Sequence, residues 1–120
     1  MEVIKRVDII KKLDAWRDAR ESTLSLHMWA DKMHMSSELI FEDMEGENSV
    51  SQEVLAELSM LDMNLLIQGD IPIFKAFLNS SVGQFEESYV KFVSDLQNID
   101  HEQRKRKLKN TEPYVKYCVD

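Results

Sequence analysis

SVSQEVLAELSMLDMNLLIQGDIPIFKAFL, residues 49–78, is the stretch whose reading decides the fold. Ser49 followed by Gln52 is a capping-box pattern, in which the hydroxyl accepts from a first-turn amide while the Gln side chain reaches back. Val50, Val54, Leu55, Leu58 and Leu61 recur at steps of three and four, the spacing of one apolar helix face. Asn64 and Gly69 punctuate the end. Asp70 then stands as an N-cap before Ile71 and Pro72, where proline is tolerated because first-turn amides have no intrahelical acceptor. Ile71, Phe74, Phe77 and Leu78 make a second apolar face. So short a connection forces the two helices to be neighbours, and together they are the expected core.

Outward from this pair the chain stays helical in pattern. Ile9, Ile10, Leu13 and Trp16 form a stripe within residues 3–19, followed by a turn near Arg20 and Glu21 or by one continuous helix. Ser22 is the cap for a helix whose inner face is Leu26, Trp29, Ala30 and Met33. After Met35, either Ser36 and Ser37 cap a short helix holding Leu39, Ile40 and Met44, or the preceding helix runs on. Residues 42–49, EDMEGENS, are a polar surface loop in both cases. On the other side, Val82, Phe85, Tyr89, Phe92, Leu96 and Ile99 alternate steps of three and four, which suits a core helix or a dimer seam. Asp100 with Gln103 opens a brief basic helix to Lys109, and Tyr114, Val115, Tyr117 and Val119 are too apolar for a free tail. The expectation is an all-α single domain over residues 1–120, a bundle of five or six helices with short connections.

A chain of 120 residues can bury roughly two thirds of its unfolded surface. Three Gly and two Pro favour helix over a turn-rich β fold. No apolar run approaches the ~18 residues of a membrane span. The opening MEVIKRVDIIKK is interrupted by charge too often for a secretory signal. A lone cysteine, Cys118, rules out an internal disulfide framework and fits a reducing compartment, so the expected location is cytoplasmic.

Charge is segregated along the chain. Of the net −7, essentially all lies in residues 33–74, which hold no Lys or Arg but Glu38, Glu42, Asp43, Glu45, Glu47, Glu53, Glu57, Asp62 and Asp70. Such an excess is either a solvated face or a surface for a basic partner. Glu38, Glu42, Asp43, Glu45 and Glu47 lie beside Leu39, Ile40 and Phe41, and this mixture of charge and apolar anchors makes them the candidate partner-binding residues.

Other chemistry has less to stand on. His27, Asp31 and His34 fall at i, i+4 and i+7 on one helix face and are weak candidates for a zinc or other divalent site. A structural site needs a fourth ligand, and His101 and Cys118 serve only if the fold brings them close. An EF-hand with Gly46 at its sixth position would put Phe41 and Gln52 where acids are required. Arg104, Lys105, Arg106, Lys107 and Lys109 suit phosphates, but also the C-terminal end of a helix, and no nucleic acid is expected. There is no G-x-S-x-G and no phosphate loop. Met28, Met33, Met60 and Met63 read as core filling. No cofactor and no catalysis are expected, and a metal-dependent enzyme is the remote reading.

AWRDARESTLSLHMWADKMH (residues 15–34) and EVLAELSMLDMNLLIQGDIPIFKAFL (residues 53–78) together resemble small bacterial helical proteins of toxin-immunity loci. The shared pieces are a Trp-Arg helix end, a capped helix bearing His-x-Trp-Ala, and a Leu-Asp-Met-Asn-Leu turn before Asp-Ile-Pro. They cover about half the chain, and Ala19 departs from the pattern where a glycine would suit the turn. The resemblance implies a non-enzymatic inhibitor that covers the active site of a cognate toxin. An acidic middle would suit a basic, nuclease-like toxin, with carboxylates standing in for phosphates. The alternative is a helical self-assembly or adaptor module dimerising through residues 82–99, so monomer and homodimer both remain open.

Overall fold

The computed structural model describes residues 2–119. In it, the helices are α1 (Arg6–Arg17), α2 (Thr23–His34), α3 (Val50–Ser59), α4 (Ile71–Leu78), α5 (Phe85–Gln97) and α6 (His101–Leu108). The connections from α2 to α3 and from α3 to α4 are longer than the short ones expected, whereas the other three are short. Single 3₁₀ turns occupy Gln68–Asp70 and Val115–Tyr117. The mostly helical single-domain architecture agrees with the sequence pattern, with one addition. Strands β1 (Glu2–Ile4) and β2 (Leu39–Phe41) pair in parallel, Val3 opposite Ile40.

The two faces expected in residues 49–78 form the centre. Val50, Val54, Leu55, Leu58, Leu61, Ile71, Phe74, Phe77 and Leu78 are all buried, as are Ile9, Leu13 and Trp16 of α1. Fully burying a Leu or Phe side chain contributes about 1.5–3 kcal/mol, so these elements carry the apolar stabilisation. The most extensive helix packing is α2 on α3. Trp16 is inserted whole, and its indole Nε1 donates to Thr23 Oγ1 at 2.9 Å, which satisfies the one polar atom it brings inside.

Three helix starts follow the local code. Ser22, Ser49 and Asp100 accept from the amides of Ser25, Gln52 and Gln103, each at 3.0 Å. The chain breaks after α1 as expected at Arg20 and Glu21. Ala19 there adopts φ 59°, the left-handed region that glycine occupies without strain.

Several expectations need correction. The N-terminal stripe does not begin a helix at residue 3, because residues 2–4 are a strand and α1 starts at Arg6. Leu39 and Ile40 lie in β2, not in a short helix and not in a continuation of α2. Backbone bonds to β1 hold this segment extended, as where Glu42 N donates to Ile4 O at 2.9 Å. Asp70 makes no side-chain cap on α4; its carboxylate turns back to accept from Ile67 N at 2.9 Å. Val82 lies before α5 and is 81% exposed, so the seam begins at Phe85. Its aromatic residues pack within the chain: Phe92 stacks on Phe77 at 4.4 Å between centroids and meets Phe74 edge-on at 5.7 Å. At the C-terminal end Tyr114 is buried, whereas Val119 is 69% exposed. No helix among the described residues is long and apolar enough to cross a membrane.

Candidate functional site

Parallel pairing of β1 with β2 sets an offset of 37 residues, and charge pairs continue that offset beyond the strands. Lys5 comes opposite Glu42 (3.6 Å), and Arg6 opposite Asp43, with Nε donating to Oδ2 at 2.8 Å. Asp43 is the centre of a local network. It accepts from Ser49 Oγ at 2.5 Å and Ser51 N at 3.0 Å, so one carboxylate joins the first turns of α1 and α3. Burial works to raise the Asp43 carboxyl, but the bonds from Ser49, Arg6 and Ser51 outweigh it and hold the group below its ordinary value. Arg6 also donates through Nη1 to Leu78 O (3.2 Å) and Ser80 O (2.7 Å), tying in the end of α4. Its Nη2 is buried with no hydrogen-bond partner, 3.8 Å from Glu45. Glu45 in turn accepts from Gly83 N at 2.6 Å.

The five candidate carboxylates therefore divide. Asp43 and Glu45 face inward as partners of Arg6, whereas Glu38, Glu42 and Glu47 are exposed. Through residues 38–45 the exposure alternates, in extended backbone over Leu39–Phe41 and then through a turn at Glu42 and Asp43. Leu39, Phe41, Asp43 and Glu45 turn in; Glu38, Ile40, Glu42 and Met44 turn out. Ile40 is 41% and Met44 45% exposed, so two acids and two apolar side chains alternate as the exposed positions of this segment, an outward stripe along the chain. Glu42 and Lys5 are both more than half exposed, a pair of the kind that contributes 0 to ~1 kcal/mol and leaves the acid open to a competitor.

Part of the acidic middle is paired within the chain. Asp62 lies 3.3 Å from His27 Nε2, an ionic contact only when the imidazole is protonated. Asp70 is bound by Arg104 in a two-pronged contact, Nη1 to Oδ2 at 2.6 Å and Nη2 to Oδ1 at 2.8 Å. Arg104 Nη1 also donates to Leu65 O at 3.0 Å. Leu65 itself is buried at φ 55°, a conformation that costs a non-glycine residue about 1–2 kcal/mol, and its carbonyl is held by that same Arg104 contact. Arg104 thus leaves the expected basic cluster and becomes part of the interior. The Tyr114 hydroxyl donates to Leu66 O beside this pair. Burial pushes the phenol up to about 12, with the Asp70 charge adding to the effect.

The helix-face trio does not converge. His27 turns to Asp62, with Nδ1 3.4 Å from Leu58 O, whereas Asp31 and His34 are exposed. Among the described residues no group of three or more His, Cys, Asp or Glu is placed to hold a metal ion.

Lys5, Arg6 and Ser51 were invisible as site residues because three-residue strands give no periodic signal. A trace was nonetheless there: EVIKR and LIFED each run apolar into charge, with opposite signs at one offset. No family model matches this chain, nor does any curated protein or solved structure.

Proposed function

We propose that the protein acts without catalysis, by binding a basic protein partner through the outward stripe of Glu38, Ile40, Glu42 and Met44, with Glu47 beside it. The observation that carries this reading is the alternating exposure of residues 38–45, pinned from behind by Arg6 and Asp43. A stripe held in one conformation loses little entropy on docking. Its carboxylates steer a cationic surface into place, while Ile40 and Met44 supply apolar contact. The resemblance to toxin-immunity proteins supports a particular partner, a basic, nuclease-like toxin neutralised in the bacterial cytoplasm. Asp43 and Glu45 serve this role indirectly, as supports.

The test has two arms. The protein encoded beside this reading frame should inhibit growth, and co-expression of this chain should relieve it; no relief removes the immunity reading. Binding of that protein to Glu38→Lys/Glu42→Lys/Glu47→Lys should weaken by about 1.4 kcal/mol or more, tenfold, and associate more slowly, most of all at low salt. Unchanged affinity and association rate remove the stripe.

A further inference from the structure

A cavity of about 230 Å³ lies between α3, the connection after it, α5 and the start of α6. Leu66, Val93, Leu96 and Ile99 form apolar walls, and Glu57 lines the cavity with Asn64. Asn64 Nδ2 donates to the Glu57 carboxylate at 3.2 Å. Gln97 and His101, both exposed, complete the lining. Elsewhere in the acidic middle, Asp43, Glu45, Asp62 and Asp70 each face a basic side chain. Glu57 has an amide and a neighbouring carboxylate, Glu53, and no cation among the described residues.

We propose that this cavity binds an organic cation of the alkylammonium or alkylguanidinium class, its head on Glu57 and its stem between Leu66, Val93 and Leu96. The chemistry follows from what Glu57 lacks. Burial pushes its carboxyl above the ordinary value; the Asn64 amide counters this in part and Glu53 adds to it. A cation placed against that carboxylate compensates lost hydration that an amide cannot fully replace. Size narrows the class. Pockets for drug-sized ligands run roughly 300–1,000 Å³, so this one suits a single unbranched chain with a compact head. The site is separate from the outward stripe, and either stands if the other fails.

Chemical-shift titration of the full chain with butylammonium and with butylguanidinium tests the assignment, with n-pentanol as the neutral control. Saturable shifts in α3 and α5 are expected from the cations, with at least about tenfold weaker response from the alcohol and from Glu57→Gln. The variant's remaining spectrum shows whether it is folded. A short peptide with a central Lys or Arg separates two sources of the same chemistry. Tighter binding by the peptide assigns the cation to a partner's side chain, and tighter binding by the free amine assigns it to a small molecule. No saturable shift, equal binding by pentanol, or equal binding by a folded Glu57→Gln overturns the proposal.

Discussion

Arg6 with Asp43 and Arg104 with Asp70 tie opposite ends of the chain to its acidic middle, but they differ in completeness. Arg104 engages both oxygens of a carboxylate that is itself buried, and adds the Leu65 carbonyl. Arg6 reaches Asp43 through one nitrogen, shares its other donors with two carbonyls, and leaves buried Nη2 without an acceptor. The C-terminal pair is closed on itself. The N-terminal pair has alternatives, since Glu45 stands 3.8 Å from the free nitrogen. A buried ion pair is vulnerable in proportion to what its loss strands, and only one of these carboxylates would be stranded wholly inside.

The comparison is broken most severely at Arg104. Arg104→Met leaves Asp70 charged and buried beside an unserved Leu65 carbonyl, and should cost about 3–5 kcal/mol in urea unfolding. Asp70→Asn/Arg104→Met should recover part of that loss, because no charge is left without a partner. A single-variant loss below about 1 kcal/mol would show that water reaches Asp70 and that the pair is not closed.

Asp43→Asn should cost less, about 1–3 kcal/mol, because Arg6 keeps the Leu78 and Ser80 carbonyls and has Glu45 in reserve. The pH dependence sharpens the contrast. Asp43 titrates below its ordinary value in the fold, so its contribution is present above the unfolded pKa of about 3.9 and lost as pH falls through the folded value. Wild-type stability should drop on that acid limb, and Asp43→Asn should flatten it. An unchanged acid limb in the variant would assign the loss to other carboxylates.

Tyr114→Phe gives the smallest expected effect, about 0.5–1.5 kcal/mol for one hydrogen bond to Leu66 O. Its phenol has a raised folded pKa of about 12, so its contribution is full below about 10 and lost as pH rises toward 12. The variant should lose that alkaline sensitivity, as read by the far-ultraviolet helix signal across the same range.

What was legible early and what was not separate along physical lines. The burial of Leu55, Leu58 and Phe74 was readable because helix periodicity is a property of neighbours in sequence. The fate of Glu42, Asp43 and Asp70 was not, because charge carries no periodicity and each of these finds its partner far along the chain. The same blindness made an acidic middle look like one surface, when Asp43, Glu45 and Asp70 are internal ties. Of the acids in that middle only Glu38, Glu42 and Glu47 keep the exposure that the charge pattern suggested.

By itself, the sequence determined the helices at the core and three of their caps, Ser22, Ser49 and Asp100, since such interactions span three or four residues. Tertiary structure alone decided that residues 2–4 pair with 39–41, that Asp70 serves Arg104 rather than α4, and that Glu57 lines a cavity with Leu66 and Leu96. Those outcomes depend on groups far apart in the chain, 34 residues for Asp70 with Arg104 and 37 for the strand pair, whose meeting is set by how the core packs and not by local preference.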